Sequence, residues 1–134
     1  MDNNIALLVL LIAGPITLYL AMRLIGSRAN LDKVTIRRQW AKVRSLVGNT
    51  EPQFAVIEGD KVFDNALKQL GFKGETMGDR LKSAQPSIKN INDVWSAHKL
   101  RNRLVHEPDV DISMRDVQTA LSSFEKALRQ MGAL

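Results

Sequence analysis

Cysteine is absent from this chain of 134 residues, which excludes disulfide bridges and thiolate metal sites and leaves the compartment open. There is no HExxH pair, no glycine-rich phosphate loop and no defensible Ser–His–Asp spacing. Zinc-peptidase, P-loop and triad chemistries therefore have no motif to rest on. No segment alternates apolar and polar residues with period two, so no sheet is expected, and there is no internal repeat or low-complexity tract. Acidic residues are scarce where basic ones are densest. From Arg23 to Arg44, seven basic side chains face the single acid Asp32, a net charge of +6. Residues 45–134 hold 12 basic and 12 acidic residues, so the overall +5 arises before residue 45.

The charge-free run from Ile5 to Met22 spans 18 residues. With its flanks it approaches the length needed for a hydrocarbon core of ~30 Å at ~1.5 Å per residue. Gly14 and Pro15 sit mid-run, which membrane helices tolerate, and Tyr19 lies near the basic end, as an interfacial aromatic would. A cleaved signal peptide fits less well, because residues 1–4 carry Asp2 and no basic residue. A buried core helix would show a polar face, and this run has none. The expectation is a single-pass transmembrane anchor over residues 1–26. Positive-inside asymmetry then puts the N-terminus outside and the remainder on the cytoplasmic side of the cell membrane. Residues 27–49 are expected to form a basic juxtamembrane linker or helix. Arg23 at the end of the anchor and Arg28, Arg37, Arg38, Lys42 and Arg44 after it would face anionic lipid, and Trp40 would lie at the interface. A solvated linker helix is the plain alternative. Attraction to RNA is a weaker explanation of the same charge.

Residues 50–134 read as a small helical domain. Thr50 is a natural N-cap with Pro52 in the first turn. Ala55, Val56, Gly59, Val62, Phe63, Ala66, Leu67 and Leu70 follow at helical spacing, with Gly71 as the stop. A short helix near Thr76–Ala84 precedes a longer one from Ile91 to His106, which Pro108 ends. Ser113 with Asp116 forms a capping-box variant ahead of the stripe Val117, Ala120, Leu121, Phe124, Leu128 and Met131. The expected fold class is all-α: an N-terminal transmembrane helix followed by a four- to five-helix bundle. A core this small would benefit from dimerisation.

The informative segment is Trp95–Pro108. At 100° per residue, Val94, Ala97, Leu100, Leu104 and Val105 form the expected core face, and Lys99 and Arg103 point to solvent. Trp95, His98, Asn102 and His106 share a third face, with Arg101 able to bend toward it. Polar residues between a core face and a solvent face are often only structural hydrogen bonders. His98 and His106 are ~12 Å apart by helix rise, too far to share one metal ion, so no metal site is expected.

Arg101-Asn102-Arg103-Leu104-Val105-His106 resembles the Arg-(polar)-x-x-x-His motif of the HEPN (higher eukaryotes and prokaryotes nucleotide-binding) domain superfamily, in which it sits late in a helix of a four- or five-helix bundle. The resemblance covers roughly residues 50–132. It implies a homodimer bringing two motifs together and, in active members, metal-independent RNA cleavage with the ribose 2′-OH as nucleophile. His106 would be the general acid/base, Arg101 would hold the phosphate, and Asn102 would orient His106 or bind a ribose hydroxyl. His98 would be a possible auxiliary proton carrier, which the motif does not require. Neither a metal nor a nucleotide cofactor is implied. Many members are catalytically silent, so the alternative is a membrane-tethered interaction or dimerisation module.

Overall fold

The fold is given by a computed structural model that describes residues 11–18 and 31–134. Residues Leu31–Leu134 form one compact unit, and residues 1–30 belong to another. In the latter, residues 11–18 are helical. No helix among the described residues is long and apolar enough to cross a membrane. This overturns the single-pass element of the expected fold. A span needs about 20 consecutive apolar helical residues, and no described helix supplies them. The rest of the expected anchor, Arg23 included, lies outside the described residues, as does Arg28 of the expected linker.

The compact unit is all-helical among the described residues. Its elements are α1 (Lys33–Leu46), α2 (Gln53–Gln69), α3 (Met77–Ala84), a short 3-10 turn (Gln85–Ser87), α4 (Ile91–His106) and α5 (Met114–Gln130). The compact unit begins at Leu31, ahead of α1. α1 packs on α2, and its Ile36, Trp40 and Val43 are buried. Trp40 is 3% exposed and donates its indole N–H to Glu125 at 3.1 Å, so it does not serve as an interfacial aromatic.

Caps define the helix starts. Asp32 accepts from the Thr35 amide at the head of α1. Thr76 with Asp79 and Ser113 with Asp116 close full capping boxes on α3 and α5, each satisfying otherwise orphaned amides. α2 starts without a side-chain cap; Pro52 stands at that position, so Thr50 does not play the role expected of it. Gly71, at φ 84°, turns the chain after α2 in a conformation that a side chain would strain.

α2 is central, packing on α1, α3, α4 and α5. Phe63 and Phe124 meet with ring centroids 5.2 Å apart in the fully buried middle. Gly59 allows close approach there, since a Cβ in its place would lie 2.9 Å from Leu121 and 3.6 Å from the Trp40 ring. Arg80 ties α3 to α2 through two bonds to Asp64 (2.6 and 3.0 Å) and reaches the Gly74 carbonyl at 2.6 Å. Asp64 is held below the usual carboxylate range: burial pushes its carboxyl up, but bonds from Arg80 and Lys68 outweigh that. α4 buries Val94 and Ala97 and half-buries Leu100 and Leu104. Val105, assigned to the same face, is 46% exposed.

Candidate functional site

The site begins with an acid in an apolar stripe. α2 presents Val56, Gly59, Asp60 and Phe63 inward, and a carboxylate there is costly unless partnered. Asp60 is 2% exposed, and its partners come from α4. His98 Nδ1 lies 2.8 Å from Asp60 Oδ1, and Arg101 Nε lies 3.4 Å from Oδ2. The Arg101 Nη1 group donates to Asn102 Oδ1 at 2.9 Å. Asn102 Nδ2 faces His98 Nε2 at 3.4 Å. The contacts close a ring running Asp60–His98–Asn102–Arg101 and back to Asp60.

Donor and acceptor roles follow around the ring. A carboxylate only accepts, so His98 Nδ1 carries the hydrogen toward Asp60. Asn102 Oδ1 accepts from Arg101, so the amide nitrogen is the atom turned to His98, and Nε2 accepts from it. Both ring nitrogens of His98 are thereby occupied, in a side chain that is 10% exposed. Its geometry suits a positioning residue rather than a proton carrier. Trp95, half-buried, packs edge-on against the imidazole with centroids 6.0 Å apart.

Arg101 is the member that reaches solvent, with 26% of its side chain exposed. Its Nε is buried and without a hydrogen bond, and the nearby Asp60 charge compensates for that atom electrostatically. Nη2 is bonded to nothing among the described residues and is not buried. An immobilised guanidinium with a free edge is a ready donor for an oxyanion.

The structure thus joins three of the residues singled out in the sequence, His98, Arg101 and Asn102, and adds Asp60, which the motif did not indicate. The available signal was its place in the core stripe of α2. His106 stands apart. It is exposed in the last turn of α4, five residues beyond Arg101, and has no hydrogen bond to the ring. Asn102 is directed to Arg101 and His98 and not to His106. Of the basic residues assigned to lipid, Arg37, Arg38, Lys42 and Arg44 are exposed on α1. Among the described residues no group of three or more His, Asp or Glu side chains is placed to hold a metal ion.

Compared with known proteins, the chain matches no family model, no curated protein and no solved structure. Nothing in these comparisons identifies a HEPN domain.

Proposed function

We propose that the bundle is a HEPN-like, metal-independent endoribonuclease in which Arg101 binds the scissile phosphate and His106 transfers protons, with a second copy of the chain completing the site. The observation that carries this reading is the fixed guanidinium. Asp60 and Asn102 hold Arg101 in one orientation with Nη2 open to solvent, and His106 is exposed further along the same helix. A cation held in advance stabilises the charge that develops on a pentacoordinate phosphorus without reorganisation during the reaction.

The reaction needs two proton transfers. The ribose 2′-oxygen attacks the adjacent phosphorus and loses its proton. The 5′-oxygen of the next nucleotide leaves and gains one, so the products end in a 2′,3′-cyclic phosphate and a 5′-hydroxyl. Imidazole suits both transfers near neutral pH, and the His106 side chains of two copies divide them. His98 and Asp60 act through Arg101 and Asn102 as positioning residues.

A specific observation favours a second reading, a non-catalytic interaction or dimerisation module. The ring closes on itself, and His106 makes no bond to it, as expected of a buried polar network that only specifies packing. One experiment separates the two. The full chain is incubated with single-stranded RNA in EDTA, alongside Arg101→Ala and His106→Ala. The nuclease reading expects cyclic-phosphate ends and a fall of roughly 100-fold or more in each folded variant. No cleavage by the wild-type chain, or cleavage that persists in both variants, removes it.

A further inference from the structure

The positive charge of the Leu31–Leu134 unit is concentrated on one helix. α1 carries Lys33, Arg37, Arg38, Lys42 and Arg44 and no acidic residue, whereas residues 45–134 balance 12 basic against 12 acidic side chains. The inward face of α1 is Ile36, Trp40 and Val43, none more than 3% exposed. At 100° per residue, Arg38 and Ser45 lie opposite that face, with Val34, Ala41 and Lys42 beside them and Arg37 on the flank; all six are exposed. Among the described residues Arg37, Arg38 and Lys42 form no ion pair, and Arg44 alone in this helix does, with Glu125 at 3.5 Å. Surfaces usually intersperse both signs of charge. Here the acids are missing.

We propose that the outward face of α1 is a docking surface for an anionic lipid bilayer, on which the folded unit rests peripherally. Three features favour lipid over RNA. The face is one side of a single helix, and the groove beside it, between α1 and α2, sets the acid Glu58 and the apolar Leu46 and Phe54 beside Lys42, a poor lining for a phosphate backbone. Trp40, the aromatic residue of the helix, is turned inward and bonded to Glu125, so α1 has no platform on which a base could stack. Val34, 66% exposed, and Ala41 lie among the cations. That mixture matches an interfacial helix whose apolar groups enter the headgroup zone while Arg and Lys extend to the phosphates. The surface is distinct from the Arg101 ring: α2 packs against both α1 and α4, and docking through α1 does not use the α4 face.

The test measures partition of the full chain into phosphatidylcholine vesicles with and without phosphatidylserine. Each cation near an anionic surface contributes about fivefold, so Arg37, Arg38 and Lys42 together give roughly 100-fold preference for the anionic vesicles, weakening as salt rises. The triple variant Arg37→Gln/Arg38→Gln/Lys42→Gln is expected to lose that preference while keeping its helical circular dichroism and unfolding midpoint. The proposal is overturned if the wild-type chain partitions equally into both vesicles or if the triple variant keeps the preference. It is equally overturned if only Arg23→Gln/Arg28→Gln removes the preference, or if the triple variant loses single-stranded RNA binding with its vesicle preference intact.

Discussion

The inner end of α4 and the outer face of α1 both gather charged side chains, and they do opposite things with them. On α4, Arg101 and His98 converge on a buried acid and are held by a closed set of contacts. On α1, Arg37, Arg38 and Lys42 stand in solvent and form no ion pair among the described residues. A buried charge must find its partner within the fold, because desolvation is otherwise prohibitive. An exposed cation is solvated wherever it sits and is free to meet a partner from outside. The first arrangement contributes to stability and fixes geometry. The second leaves stability nearly untouched and sets what the surface attracts.

Breaking the buried side should have the largest effect. Asp60→Ala removes the acceptor of His98 and the counter-charge of Arg101, and we expect a loss of about 3 kcal/mol. By thermal unfolding that is a drop of roughly 15 °C for a unit of this size. A change within the noise would mean the ring is ornamental and would weaken the case for a fixed guanidinium.

Acid should sharpen the same contrast through Asp64 and Glu125. For Glu125, burial pushes the carboxyl up, but bonds from Arg129 and Trp40 and the Arg44 charge hold it below its ordinary value. Asp64 is lowered likewise by Arg80 and Lys68, against its burial. A depressed folded-state pKa contributes stability that is fully present above the unfolded value, about 3.9 for Asp and 4.3 for Glu, and is lost as pH falls through the folded value. Urea unfolding should therefore give nearly constant stability from neutrality to about pH 5 and a decline below about pH 4. Asp64→Asn should flatten that decline, and an unchanged acid slope in the variant would remove Asp64 from the account.

The smallest effect belongs to the exposed side. Arg37→Gln/Arg38→Gln/Lys42→Gln should shift stability by no more than about 0.5 kcal/mol per site. A larger loss in urea unfolding would show that these cations serve the fold, and the contrast would fail.

Much of the bundle was legible in advance because its signals are local. The stripe of α5, the Ser113–Asp116 cap and Pro108 after α4 each act within a few residues of themselves. The α1 charge was equally plain as a count, whereas the inward turn of its tryptophan was not. Trp40 was assigned to a membrane interface, and burial against α2 and α5 turned it inward. The 18-residue apolar run suggested a span by its hydropathy, a property that does not by itself make a helix of crossing length, and none is found among the described residues.

The sequence by itself determined the helical class, most helix ends, the acid-free basic helix and the Arg101–His106 motif, because periodicity, capping and charge balance are properties of neighbouring residues. Only the tertiary structure decided that Asp60 meets His98, 38 residues away, that Asn102 turns to Arg101 and His98, and that His106 stays outside. Those choices depend on how α2 packs against α4, where a buried carboxylate had to be paired and hydrogen-bonded before the core could close around it.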